Sequence, residues 1–164
     1  MMCVSFRPKD EKPERFNSYS YPSIFGKISL SLTHEGDLIE LHLTGDHPFP
    51  RLPKDLAPLV DAIETQKWDR LPPLVAFGTP FQIQVWRALA SLPQGTLTTY
   101  KELAHTIGYR SGFRAVGQAV GKNPLAWIIP CHRVLSSSGG LGGYRWGIDI
   151  KKILLIKEGH KISP

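Results

Sequence analysis

Strands come first in this chain and helices follow. The sequence predicts an α/β N-terminal domain, with a small antiparallel sheet plus a helix, and then a mostly helical C-terminal domain containing a helix-turn-helix. Three observations carry this expectation. Residues 26–43 alternate apolar and polar with period two around a turn, apolar residues beyond residue 80 recur at spacings of three and four, and residues 69–80 break the pattern with Pro72, Pro73, Gly78 and Pro80. The division expected is residues 1–74 and residues 75–164.

Taken in order, residues 1–16 carry mixed charges with Pro8 and Pro13 and read as a frayed start. Residues 26–32 place Ile28, Leu30 and Leu32 on one face of a strand. His34-Glu35-Gly36-Asp37 is a turn signal, and residues 38–43 alternate again, so the pair reads as an antiparallel hairpin. Residues 46–53, with Pro48, Pro50 and Pro53, read as a loop, and residues 56–66 as a helix carrying Leu56, Leu59, Val60 and Ile63. Residues 81–92 set Phe81, Val85, Trp86, Leu89 and Leu92 on one helical stripe that Pro93-Gln94-Gly95 ends. Thr98 or Thr99 can cap a helix running to Thr106, with Leu103, Ala104 and Ile107 inward. After a turn, residues 113–122 form a second helix that Asn123-Pro124 terminates. That helix is short of long polar side chains, and Gly117 and Gly121 each cost it about 1 kcal/mol relative to Ala, so either a core neighbour or an outside partner comes close to it. The last helix runs from Ile148 or Asp149 to Glu158, with Ile150, Ile153 and Leu154 inward and Gly159 as its stop.

With 41% hydrophobic residues in 164, the chain has a globular composition and enough length for a proper core. It has no apolar run of membrane-spanning length, and residues 1–16 lack the apolar centre of a secretory signal. The expectation is therefore a soluble protein of the cytoplasm, or of the nucleus if eukaryotic, with no membrane partner. Cys3 and Cys131 are too few for a disulfide framework. His34, His42 and His47 lack a ligand spacing and read as solvated histidines, so no metal is expected. Residues 1–74 hold nine lysines and arginines against eleven acids, a charge of −2, whereas residues 75–164 hold eleven against three, a charge of +8. A basic half of this kind is the electrostatic footprint of a phosphate-backbone partner.

The chemistry concentrates in Ile129-Pro130-Cys131-His132-Arg133-Val134, where a thiol stands beside an imidazole. A thiol attacks as thiolate and needs a base or a positive charge near it. If residues 127–134 form a strand, His132 and Cys131 point to opposite faces, so His132 reaches the sulfur indirectly and a third group must orient it. Glu158, in the last turn of a helix whose dipole it opposes, is a candidate for that group. Residues 136–143, Ser-Ser-Ser-Gly-Gly-Leu-Gly-Gly, form a flexible border to this stretch. A redox-sensing helix-turn-helix regulator would want a dimerisation element and base-reading side chains, and a cysteine hydrolase would leave the helix-turn-helix unexplained.

Pro130-Cys131-His132-Arg133-Val134, preceded by Arg114-Ala115-Val116-Gly117 and Asn123-Pro124, resembles the O6-alkylguanine-DNA alkyltransferases. Thr79-Pro80-Phe81, Thr99-Tyr100, Gly143-Tyr144 and Glu158-Gly159 extend the resemblance over residues 79–160. It implies a ribonuclease-H-like N-terminal fold and a single-turnover transfer of an alkyl group from O6 of guanine, and from O4 of thymine, to Cys131. It implies that His132 acts through a water as base for Cys131, that Glu158 orients it, and that Asn123 holds the turn joining the recognition helix to the active segment. It further implies a monomer that meets double-stranded DNA through Tyr100, Arg114, Ala115, Gly117 and Gln118, with Arg114 filling the gap left by a flipped base in the minor groove. Tyr100, Cys131, Val134, Tyr144, Arg145 and Trp146 would form the substrate pocket, and no cofactor is implied. The chain lacks the cysteines with which some members hold zinc. Arg145-Trp146 replaces a smaller pair, Ala126 stands where some members carry Pro, and Trp146 is expected to narrow the alkyl pocket.

Overall fold

The computed structural model describes residues 3–43 and 48–163 and divides into two compact units: Met1–Thr79 with Pro124–Ala126, and Pro80–Asn123 with Trp127–Pro164. In the first unit, β1 (Val4–Pro8), β2 (Asn17–Ser23), β3 (Gly26–Leu32), β4 (Leu38–His42) and β5 (Leu74–Gly78) form one mixed sheet in the order β1-β5-β4-β3-β2. Strands β2, β3 and β4 pair antiparallel, and β5 runs parallel to both of its neighbours. The hairpin read from the sequence is β3 and β4: Leu30 faces Leu41 across it, and Ile28, Leu30 and Leu41 are almost wholly excluded from solvent. The opposite side is polar, with Ser31 bridging Ser18 and Glu40. Helix α1 (Ala57–Glu64) buries Leu59, Ala62 and Ile63.

Two stretches of this unit differ from the sequence reading. The frayed start contains β1, whose Val4 and Phe6 alternate with exposed Ser5 and Arg7 and whose register against β5 is continuous. The proline-rich stretch 69–80 contains β5, a short buried run, so the division falls after Thr79 rather than after Leu74. Both misreadings have one cause. A parallel pair joins segments about seventy residues apart, and neither strand carries its own turn signal. Residues 124–126 extend the same unit, since Leu41 N–H donates to Pro124 O and Ala126 N–H donates to Leu41 O. His34 is exposed, His42 lies 4.0 Å from Glu40, and His47 lies outside the described residues. Among the described residues there is no cluster of three or more metal-ligating side chains.

The second unit packs α2 (Pro80–Ala90), α3 (Tyr100–Thr106) and α4 (Phe113–Gly121) together, followed by α5 (Ile148–Lys157). Helix α2 buries Val85, Trp86 and Leu89, and the Trp86 indole N–H donates to Ala119 O at 2.8 Å, fixing α2 to α4. Thr99 caps α3 with a reciprocal box: its hydroxyl accepts from Glu102 N–H, and the Glu102 carboxylate accepts from Thr99 N–H. The turn between α3 and α4 needs glycine at 112, because a Cβ there would stand 2.0 Å from the Tyr109 ring. Helix α4 turns Val116, Ala119 and Val120 inward and leaves Arg114 and Gln118 exposed. A two-residue strand β6 (Thr98–Thr99) pairs in parallel with β7 (Val134–Leu135). Among the described residues no helix is long and apolar enough to cross a membrane.

Candidate active site

The segment read as a strand over 127–134 is mostly turn. Trp127 takes a left-handed φ of 67°, an uncommon conformation for so bulky a residue, and Cys131–Arg133 form one turn of 3-10 helix before β7. Pro130 has no N–H to give a ladder, and the N–H groups of Cys131 and Arg133 bond back to Ile129 O and Pro130 O. The turn fans out three consecutive side chains that a strand would have alternated. Cys131 is 3% exposed, His132 0% and Arg133 8%.

Asn123, fully buried, donates through Nδ2 to Ile129 O at 2.8 Å and to Cys131 Sγ at 3.1 Å. Burial pushes the Cys131 thiol up, while the hydrogen bonds from Asn123 and Tyr144 and the charge of Lys151 pull the other way. The balance leaves a protonated thiol at rest with thiolate-stabilising donors already in place.

Behind it, Glu158 closes α5 and collects two cationic or potentially cationic neighbours. His132 Nε2 lies 2.7 Å from Oε1, and Arg133 donates Nε to Oε2 and Nη2 to Oε1, both at 2.8 Å. Burial alone would raise the Glu158 carboxyl, but these hydrogen bonds and charges outweigh it and hold it at about 2. Arg133 cannot lose its protons, so Glu158 is the acceptor throughout and His132 is the donor through Nε2. Burial lowers His132 against the pull of Glu158, and Arg133 and Lys151 repel a second proton, so the imidazole is neutral at rest. Its Nδ1 is buried and has no partner within the protein.

Helix α5 turns a different face inward from the one its isoleucines suggested. Ile153 is 37% exposed, whereas Lys151, Leu154 and Leu155 are buried on the side that leads to Glu158. The Lys151 ammonium, itself 0% exposed, donates to the carbonyls of Val134, Leu141 and Gly143, and burial lowers it to about 8. The glycine-rich stretch 136–143 is thereby anchored at its far end. Directly after it, Tyr144 and Trp146 meet edge to face with centroids 5.4 Å apart, and the Arg145 guanidinium lies 5.2 Å from the Trp146 ring.

A pocket of about 240 Å³ opens over Cys131, lined by Tyr100, Gly117, Val120, Gly121, Gly143, Tyr144, Arg145 and Trp146. Of the residues predicted from the sequence, Tyr100, Cys131, Tyr144, Arg145, Trp146 and Gly117 meet there. His132, Glu158 and Asn123 stand behind the sulfur, and Val134 is buried in β7. Arg114, Ala115 and Gln118 belong to α4 outside the pocket. Sequence reasoning missed Arg133 and Lys151 as buried cations. The signal for Lys151 was available: once Glu158 faces inward, residues three, four and seven positions earlier share its face.

The sequence model of the 6-O-methylguanine DNA methyltransferase DNA-binding domain matches residues 80–160. The methylated-DNA–protein-cysteine methyltransferase of Methanosarcina barkeri is 52% identical over 85 residues, covering 52% of this chain and 54% of that protein. That of Scheffersomyces stipitis is 46% identical over 93 residues, covering 56% and 48%. The chain spans about half the length of these curated relatives. The crystal structure of Mycobacterium tuberculosis O6-methylguanine methyltransferase superposes with a TM-score of 0.73 at 34% identity, covering 88% of this chain and 93% of that one. The Mycobacterium tuberculosis OGT structure in complex with DNA gives 0.72 at 35%, covering 87% and 92%. With the second unit matched almost end to end and the whole fold shared at this identity, the chain belongs to the O6-methylguanine-DNA methyltransferase family.

Proposed function

We propose that this protein repairs double-stranded DNA by moving an alkyl group from O6 of guanine, and from O4 of thymine, to Sγ of Cys131, once per molecule and as a monomer. The observation that carries the reading is the buried thiol at a pocket of nucleobase scale, with an amide donor on the sulfur and an imidazole, a carboxylate and a guanidinium behind it. The Cys131 proton passes to His132 Nδ1 through a bridging water, and the thiolate attacks the alkyl carbon in line. The S–C bond forms as the C–O6 bond breaks, and the electron pair stays on the guanine, which takes up one proton. Tyr100 lines the pocket, and burial and the charge at Cys131 raise its pKa, so its hydroxyl is a donor available to the leaving base.

The DNA-facing surface is read from α4. Arg114, Gly117, Gln118 and Gly121 follow one another at spacings of three and four along one stripe. A Cβ on Gly121 would meet nothing within 4 Å, and one on Gly117 would make only ordinary contact with the Tyr100 ring. The fold itself does not call for these glycines, which favours an outside partner that approaches the backbone over a crowded core. In this reading α3 and α4 are a helix-turn-helix lying in the minor groove, Ala115 and Gln118 contact the duplex, and Arg114 occupies the place of the extruded base. Backbone groups at Cys131, Val134 and Arg145 hold the base edge. The first unit is read as ribonuclease-H-like.

Incubation with duplex DNA containing O6-methylguanine, followed by intact mass and peptide mapping, tests the proposal. One added methylene on the Cys131 peptide, saturating at about one per chain, is the expected outcome. Repeated turnover would indicate a hydrolase, and the absence of an adduct would leave a binding protein.

A further inference from the structure

The chemistry above uses Cys131, His132 and Glu158 and leaves Arg133 without a task, although its guanidinium is 90% shielded and makes four hydrogen bonds. Two of them form a parallel pair to Glu158. The other two run from Nη1 to Leu92 O at 2.9 Å and Pro93 O at 3.2 Å, where the chain leaves α2. Arg133 therefore fixes the Glu158 carboxylate in plane and position against a part of the fold that neither the turn nor α5 supplies. Glu158 Oε1 is shared: Arg133 Nη2 and His132 Nε2 both point at it.

We propose that Arg133 is a positioning residue for alkyl transfer: by pinning Glu158 as an ionised acceptor and offsetting its charge, it keeps His132 in the neutral Nε2–H form with Nδ1 free to take the Cys131 proton. A carboxylate alone against a buried imidazole favours a second proton on the ring, which removes the base. A carboxylate that already carries a guanidinium orients the ring without charging it. The charged and titratable groups that act on His132 are Glu158 and Lys151 from α5 and Arg133 beside it in the turn, and the Cys131 thiol neighbours it on the other side. Lys151 opposes the second proton too, but it is committed to three carbonyls and makes no printed bond to Glu158, so Arg133 is the group that sets the carboxylate.

The inference rests on the alkyl-transfer reading for its consequence and not for its test. Imidazole nitrogen NMR on the intact protein without DNA reads the His132 tautomer and titration directly, so a failure of transfer and a failure of the Arg133 role give different results. In the wild type, Nε2–H is expected at neutral pH. Arg133→Met should raise the His132 titration by about one unit or more and move the acid limb of the pH–rate profile up equally. The transfer rate near pH 7 should then fall about tenfold and recover in alkali. Arg133→Lys, which keeps a charge and loses the fork, should hold the limb near its wild-type position with a lower rate. Arg133→Met in a Glu158→Gln background keeps the test usable if the single variant does not fold, and its limb should coincide with that of Glu158→Gln. An unmoved His132 titration in folded Arg133→Met, a rate loss equal at every pH, or a limb that differs between the double variant and Glu158→Gln would overturn the proposal and leave Arg133 as a brace for the fold.

Discussion

Asn123 gives one amide to two acceptors, and one of them is the Cys131 sulfur at 3.1 Å. The side chain lies at the end of α4, so a single residue joins the helix read as DNA-facing to the atom read as the nucleophile. Replacing Asn123 with Ala removes the donor and leaves Ile129 O without it. A hydrogen bond to a charged acceptor contributes about 1.5 to 3 kcal/mol, so thiolate formation and alkylation at neutral pH should slow roughly 10- to 150-fold. The pH dependence of Cys131 alkylation by free O6-benzylguanine should move to higher pH in the variant. An unchanged profile with only a lower melting temperature would make Asn123 structural.

Glu158 makes acid stability measurable. Its folded pKa of about 2 lies below its model value of 4.5, so its ion pair stabilises the fold above pH 4.5, and that stability is lost as pH falls from 4.5 toward 2. With allowance for solvent screening, the contribution is about 2 kcal/mol. Denaturant unfolding of wild type and Glu158→Gln should therefore differ at pH 7 and converge as pH falls through that window. Transfer should slow in the variant while affinity for undamaged DNA is unchanged, because Glu158 is buried behind the thiol.

Lys151 has the opposite sign. Its folded pKa of about 8 lies below the model value of 10.5, so the protonated form is penalised in the fold and stability rises as pH goes from 8 to 10.5. Measured against Lys151→Met, wild type should gain stability across that range, since the variant has nothing to titrate there. The variant should also lose the anchor on Leu141 and Gly143, and residues 136–143 should become sensitive to proteolysis. Identical pH slopes for the two proteins would show that Lys151 is not the buried cation described above.

The readings that succeeded and failed divide by the kind of interaction involved. Strands β3 and β4 and the capped start of α3 were legible because the signal is local: alternation about a turn, and Thr99 three residues before Glu102. Strands β1 and β5 were not, because each is defined only by a partner far along the chain. Cys131, His132 and Glu158 were visible as unusual chemistry in unusual places. Arg133 and Lys151 were not, because a lysine or arginine in an amphipathic context reads as solvent-facing, and only the completed fold shows carbonyls and a carboxylate converging on them. The α5 frame slipped by one position for the same reason, with Ile150 and Ile153 taken in place of Lys151 and Leu154.

Arg114 is exposed at the first turn of α4 and lies outside the pocket, so its contribution should depend on the duplex. Arg114→Ala should reduce repair of O6-methylguanine in duplex DNA more than reaction with the free modified base, because only the duplex requires extrusion. Binding to undamaged DNA should be weak and salt-sensitive in both proteins. Equal losses on duplex and free base would remove Arg114 from the flipping step.

Trp146 should set the size of group the pocket accepts. Its indole is 7% exposed, lines the pocket with Cys131, and is held edge to face against Tyr144 with Arg145 over it, so swinging it aside would break two ring contacts. Within about 240 Å³ shared with the base, a methyl group demands little room, and a benzyl group must displace something. Overpacking of that kind costs about 1 to 3 kcal/mol, or roughly 5- to 150-fold in rate. Ala126 cannot relieve it, because it is fully buried and bonded to Leu41 in the first unit. Rates on free O6-methylguanine and O6-benzylguanine should therefore diverge in Trp146→Gly, with a selective gain for the benzyl substrate. The variant also removes a buried ring, so its melting temperature should fall, and the ratio of the two rates is the measurement that separates pocket size from stability. A ratio equal to that of wild type would mean that the indole supports the loop without limiting the substrate.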